Sequence, residues 1–506
     1  MAKRSAKADA QRVVSTGVDG LDEILLGGLP ADFVYLVEGE PGTGKTTLAL
    51  QFLMAGRAAG ERVMYIGLSE TSAELRTVAR SHDWSLDGIE IFELRVGSTS
   101  STEEEYTIFH PAEIELQQTM DTILAAVEKY QPQRIAFDSL SEMRLLARET
   151  LRFRRQVLGL KQFFSGRGCT VLLLDDKGAP EADLQLHSLA HGVITLEHLA
   201  LEYGAERRRI VVQKIRGSVF RGGFHDFAIR TGGIQIFPRI RNLPVDELPG
   251  TEIQSSGSTE LDSLLGDGLV RGTSLLITGA AGTGKSVTAT MFARAALEEG
   301  QRVHVYLFDE RVATFRLRAN ALKMKLDPAL KDRRLCLHQV EPTVLSPGEF
   351  ARNVMDAVEK DGATMIVIDS INGYMQSMPE ERLLPLQVHE LLTYLTHKGV
   401  TTIMTLVQRG IFGNLVEDAA DVSYLADTVI LLRYFEVQGA VRQAISVVKK
   451  RSGQHERTIR ECRVGPGGLR VGEPLREFQG VLTGVPEYYG GASPLMQDIP
   501  SKPKRA

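Results

Sequence analysis

Short, nearly continuous apolar runs separated by stretches with helical spacing recur along the chain, twice and in the same order. In the first half FVYLVEG (33–39) enters a glycine-rich turn, and TTLALQFLMAGRAAG (46–60) then reads as a helix. In the second half SLLITG (274–279) and SVTATMFARAALEEG (286–300) repeat the pattern. A second apolar strand follows in each half, RVMYIGL and RVHVYLF, running into acidic residues. A third ends in Asp-Ser (RIAFDSL, MIVIDSI), and a fourth is CTVLLLD or VTTIMTL. Apolar strands alternating with helices of this length predict an α/β fold, a mostly parallel sheet covered on both faces. The end of each half is richer in β-signals (RRIVVQKIRG and FAIRTGGIQIF; QAISVVKKRSG and TIRECRV), which predicts a terminal β extension.

Self-similarity fixes the domain count. Between residues 15–47 (STGVDGLDEILLGGLPADFVYLVEGEPGTGKTT) and 256–288 (SGSTELDSLLGDGLVRGTSLLITGAAGTGKSVT), Leu21-Asp22 matches Leu261-Asp262, Gly28-Leu29 matches Gly268-Leu269 and Lys45 matches Lys285, all at one offset. A period this long is a duplicated domain rather than a solenoid repeat. The expected organisation is a flexible N-terminus (1–14), a first domain (15–242), a linker (243–255), a second domain (256–485) and a flexible tail (486–506). The boundary segment RIRNLPVDELPGTE combines charges of both signs with Pro244 and Pro249.

Composition narrows the class without naming a chemistry. The 506 residues are 43% hydrophobic and 24% charged, with a net charge of -5, as expected of a soluble globular chain without a global nucleic-acid coat. Cys169, Cys336 and Cys462 lie far apart, which argues against a disulfide framework and a zinc site. No apolar run is long enough to span a bilayer, and the basic start MAKRSAKADAQR leads into no hydrophobic segment, so a cytoplasmic protein is expected.

The chemistry lies in two turns. Gly39–Thr46 (GEPGTGKT) and Gly279–Ser286 (GAAGTGKS) both fit GxxxxGK[ST]. This spacing lets successive backbone N–H groups, with a helix N-terminus behind them, surround phosphates. Gly42, Thr43, Gly44, Lys45, Thr46 and Thr47 are the expected nucleotide contacts of the first half. Gly282, Thr283, Gly284, Lys285, Ser286 and Val287 are those of the second. The lysines would reach the β and γ phosphates of ATP, and Thr46 and Ser286 would ligate Mg²⁺. Asp138 and Asp369, at strand C-terminal ends on the same sheet edge, would complete the metal site, although a strand-end Asp can also cap the next helix. Glu70, and Asp309 with Glu310, end the strand after the loop helix, where a carboxylate could direct an attacking water or hydroxyl. Lys214 and Arg216, and Lys449 and Arg451, stand two apart on strands. They fit either a cationic finger for a phosphate or a solvated basic strand edge.

The paired phosphate loops, the opening phrase (GxxxLDxxLxGGL in the first half, GxxxLDxxLxDGL in the second), the acidic strand end, the Asp-Ser strand end and the KxR phrase occur in order in both halves. Together they resemble the KaiC family over residues 12 to about 490. The resemblance implies two tandem RecA-like P-loop domains in a two-tiered hexamer with ATP between neighbouring subunits. Lys214, Arg216, Lys449 and Arg451 would reach the ATP of the adjacent protomer. The first half would be chiefly an ATPase, and the second would phosphorylate its own chain and later dephosphorylate it, in signalling or circadian-type timing. Regulatory protein partners are possible.

Some residues depart from that family. Ser69-Glu70 stands where clock members carry two glutamates, leaving Glu70 alone, whereas Asp309-Glu310 keeps two carboxylates, with Glu310 the expected base. At the phosphoacceptor pair Ser423 is kept and Tyr424 replaces threonine, so phosphorylation is expected on Ser423 without a two-site cycle. The tail GASPLMQDIPSKPKRA is short and identifies no partner. Two other classes compete. A RecA- or DnaB-like DNA motor needs basic channel loops, but segments 166–192 and 408–424 are more acidic than basic and would repel a phosphate backbone. A nucleotide-gated scaffold would bind ATP and barely hydrolyse it.

Overall fold

The computed structural model describes residues 12–93, 111–147, 149–177, 186–200, 204–240, 250–341, 343–376, 384–408, 423–437, 439–483 and 487–489, omitting the side chains of 111–116. Most of the expected N-terminal stretch, linker and tail, and parts of segments 166–192 and 408–424, lie outside the described residues. The chain divides into two compact units, 1–239 and 240–506.

In the first unit a short ribbon pairs β1 (Val13–Val14) with β2 (Leu29–Pro30) ahead of the main sheet. The sheet contains β3 (Val34–Gly39), β4 (Val63–Gly67), β5 (Ile89–Glu93), β6 (Arg134–Asp138) and β7 (Thr170–Asp176). It continues with β8 (Gly192–Leu199), β9 (Arg207–Ile215), β10 (Phe224–Arg230) and β11 (Gly233–Phe237). The strand order is β11-β10-β9-β8-β3-β7-β6-β4-β5. The strands from β5 to β8 pair in parallel, and β9, β10 and β11 extend the β8 side antiparallel.

The second unit repeats this plan. A ribbon of β12 (Ile253–Gln254) and β13 (Leu269–Val270) precedes β14 (Ser274–Gly279), β15 (Val303–Leu307), β16 (Leu335–Gln339), β17 (Met365–Asp369) and β18 (Thr401–Val407). After these come β19 (Thr428–Val437), β20 (Ala440–Lys450), β21 (Arg460–Gly465) and β22 (Gly468–Pro474). The order β16-β15-β17-β18-β14-β19-β20-β21-β22 matches the first sheet position by position. This is the two-domain architecture, with a β extension on each sheet, that the apolar pattern predicts.

Unbroken apolar strands arise because both faces of each sheet are buried. In β3, Tyr35 and Val37 join one core with Leu48 and Phe52 of the helix Lys45–Ala58. Val34 and Leu36 join another on the opposite face, with Leu160 and Phe164. Side chains alternate across a strand, so two covering layers require apolar residues at every position.

The opening phrase of each half turns out to be structural. Asp22 accepts hydrogen bonds from the Ser15 hydroxyl (2.6 Å), the Thr16 amide (2.8 Å) and the Thr16 hydroxyl (2.7 Å). Asp262 does the same for the Ser255 hydroxyl (2.5 Å) and the Ser256 amide (2.7 Å). The Leu-Asp pair thus ties the entering chain to its first helix, with Leu21 and Leu261 buried beneath.

Candidate nucleotide and phosphoryl-transfer sites

In each unit the phosphate loop leaves the C-terminal end of the central strand, β3 or β14, and turns directly into a helix, Lys45–Ala58 or Lys285–Glu298. The N-cap residues Gly44 and Gly284 have φ of 102° and 100°, in the left-handed region that glycine tolerates without strain. A Cβ at Gly44 would also stand 2.7 Å from Ile229 Cδ1. Thr43 and Thr283 are fully buried, and each donates its hydroxyl back to a loop carbonyl, Glu40 or Ala280, at 2.8 Å. Thr47 and Val287 are buried one step into the helix.

At the first cradle Lys45 Nζ donates to the carbonyls of Gly39 (2.8 Å) and Glu40 (3.0 Å) and pairs with Asp176 Oδ1 at 2.9 Å. The Thr46 hydroxyl donates to Asp138 Oδ2 at 2.9 Å, joining the loop to the end of β6. The Tyr65 hydroxyl, on fully buried β4, donates to the same Asp138 oxygen at 2.5 Å and lies 3.3 Å from Glu70 Oε2. Thr46, Asp138 and Glu70 are therefore brought together, with Tyr65 between the two carboxylates. Burial pushes the Asp138 carboxyl above its usual range against the pull of the Tyr65 and Thr46 hydrogen bonds. Burial also raises Glu70, and the nearby Asp138 charge raises it further.

The second cradle is built from different partners. Lys285 Nζ donates to the Ala280 carbonyl at 2.7 Å, and burial lowers its ammonium to about 8, opposed by Asp369. Asp369 Oδ1 accepts from Thr405 at 2.5 Å, while the Ser370 hydroxyl donates to Asp309. Glu310 forms an ion pair with Arg318 at 3.0 Å. Its carboxyl is raised by burial, held down by Arg318 and raised again by Asp369. Sequence reading missed Tyr65, Asp176, Thr405 and Arg318. Only Asp176 carried a signal, a charge at the end of an apolar strand.

A hydroxyl and a carboxylate on one spot form a hard-oxygen donor set of the kind magnesium takes beside a nucleotide. Among the described residues no group of three or more His, Cys, Asp or Glu could hold a metal alone.

The cationic pairs lie elsewhere. Lys449 pairs with Val429 across β20 and β19, and Val429 pairs with Leu276 near the start of β14. Lys214 reaches Leu36 through Val193 in the same way. The phosphate loops leave the other ends of β14 and β3. The turn carrying Ser423 precedes Thr428, whose partner Leu275 is four residues before Gly279, about 13 Å along the strand. There Lys449 Nζ donates to the carbonyls of Ser423 (2.9 Å) and Ala426 (2.6 Å), and Arg451 to that of Tyr424 (2.9 Å). In the first unit Lys214 donates to the His187 carbonyl and Arg216 to that of Ser188 (2.7 Å). These residues hold a turn at the sheet edge opposite their own phosphate loop and are not free strand-edge charges.

Comparison with known proteins agrees with this architecture. The family model described as "ATPase: KaiC" matches residues 14–241 and 254–476, and the chain belongs to that family. It is 25% identical over 491 residues to "Circadian clock protein KaiC3" of Synechocystis sp., covering 95% of this chain and 96% of that protein. Similarity to "Circadian clock oscillator protein KaiC" of Parathermosynechococcus lividus is 25% over 477 residues, 93% of this chain and 87% of the relative. The protein of that name from Synechococcus elongatus is 25% identical over 483 residues, 93% and 91% respectively. The described residues contain no helix long and apolar enough to cross a membrane.

Proposed function

We propose that this KaiC-family ATPase is a magnesium-dependent enzyme assembled as a ring, whose second half also phosphorylates Ser423 of a neighbouring copy. The single observation that carries the reading is the position of Lys449, Arg451 and Ser423 on the sheet edge away from their own cradle. From there they serve a nucleotide held by another copy. The same holds for Lys214 and Arg216 at the first tier. A hexamer and a role in signalling or timing follow the family and the clock names of the relatives.

Loop N–H groups with Lys45 or Lys285 bind the β and γ phosphates of ATP. Thr46 with Asp138, and Ser286 with Asp369, would hold Mg²⁺, which would supply positive charge against the terminal phosphates. Glu70 orients the attacking water and takes its proton. At the second cradle Glu310, beside Asp309, does so for water or for the Ser423 hydroxyl. Lys and Arg from the adjacent copy stabilise charge on the transferring phosphoryl group.

Incubation with γ-labelled ATP followed by site mapping tests this. Label on Ser423, lost in Ser423→Ala and in Glu310→Gln, is expected, together with ATP-dependent growth in mass by light scattering. ATP turnover without label would leave the ATPase and remove the kinase. Turnover stimulated by DNA would favour a motor instead.

A further inference from the structure

The two cradles differ at one position that nothing else in the mechanism uses. Asp176 ends β7 opposite Gly39, and Val407 ends β18 opposite Gly279, so the two residues are equivalent by register. Asp176 Oδ1 lies 2.9 Å from Lys45 Nζ, whose side chain is 9% exposed, while Asp176 is 44% exposed. Lys45 thus gives its buried ammonium to two loop carbonyls and one solvent-facing carboxylate. Valine offers Lys285 no such partner.

We infer that Asp176 is an internal stand-in for the terminal phosphate at the first cradle, a counter-ion that ATP must displace from Lys45 and that the second cradle lacks. This rests on the reading of the first cradle as a nucleotide site. The carboxylate opposes ATP in two ways. It occupies the ammonium meant for the phosphates, and its charge repels the incoming triphosphate. The duplication therefore carries a built-in inequality, with the second cradle filling at lower ATP than an otherwise equal first one. Because the carboxylate faces solvent, its effect is the modest one of a half-exposed ion pair and is screened by salt.

The test isolates the first cradle in a Lys285→Ala chain and measures Mg-ATP binding by calorimetry at low and high salt. Adding Asp176→Asn is expected to tighten binding about two- to fivefold at low salt, with the gap closing at high salt. Asp176→Glu should stay near the parent. Introducing Val407→Asp into a Lys45→Ala chain should weaken the second cradle by a similar factor, a change of opposite sign that a merely structural role would not produce. Unchanged or weaker binding in both Asp176→Asn and Asp176→Ala overturns the inference while leaving the site reading intact. No ATP uptake by the Lys285→Ala chain would instead sink the reading of the first cradle itself.

Discussion

Replacing Tyr65 by phenylalanine removes one oxygen from the first cradle and leaves the ring in place. That oxygen donates to buried Asp138 at 2.5 Å, and the Thr46 hydroxyl donates to the same carboxylate oxygen. A hydrogen bond to a charged group contributes about 1.5–3 kcal/mol. Part of this is offset, because a single hydroxyl hydrogen cannot serve both Asp138 and Glu70, so the variant also relieves a crowded pair. A net loss near the low end, about 1.5 kcal/mol, lowers the melting temperature by roughly 3–6 °C for a unit of this size. The pH dependence is the sharper check. Burial raises Asp138 in the folded state, so this group favours folding at low pH, and that contribution is lost as pH rises through its folded value. The Tyr65 hydrogen bond counters the rise, so without it Asp138 climbs further. The Tyr65→Phe penalty should then be largest near neutrality and shrink on acidification. Thermal melts of nucleotide-free protein at roughly pH 7.5 and pH 5 measure it. Tyr306→Phe is the control, because the Tyr306 hydroxyl donates at 3.2 Å to the uncharged Asn353 carbonyl. Equal melting of Tyr65→Phe and the parent, or a penalty that grows toward acid, refutes this account of Tyr65.

Three further outcomes are expected. ATP binding at the second cradle, measured in a Lys45→Ala chain, should weaken as pH rises past about 8, where the Lys285 ammonium loses its proton, by up to about tenfold per pH unit; a flat profile excludes it. Arg318→Met removes the cation that holds Glu310 down, so the acid limb of the pH–rate profile at this cradle should move to higher pH, and an unmoved limb rejects the coupling. Lys449→Met unties the turn at 423–426, so amide exchange there should quicken while β14 stays protected; unaltered exchange would show that the carbonyl contacts hold nothing.

What the sequence reveals depends on how local the information is. The phosphate loops were legible because one contiguous phrase contains the strand end, the turn and the helix start. The Asp-Ser strand ends were legible because a charge closing an apolar run marks a sheet edge. Tyr65 was not, since a strand buried on both faces accepts tyrosine as one more large apolar residue. Arg318 lies on the helix Val312–Ala321 and finds Glu310 only once that helix has packed. Asp176 entered the sequence reading as one acidic residue of a candidate channel loop, and only the register of β3 and β7 brings it to Lys45. For the KxR pairs, spacing left finger and free edge equally open. Pairing through β19 and β20 decided which edge of the sheet they occupy.

The Asp262 tether has a bearing on how the molecule can be dissected. Gln254 and Ser256 are completely buried, and the residues bonded to Asp262 lie before the first helix of the second unit. An excised second half that started at Gly257 would leave that carboxylate without its partners and open the back of its core. One cut within 241–249 would retain the whole seal. The frontier of this duplication is therefore set by a single aspartate and the few residues it pins.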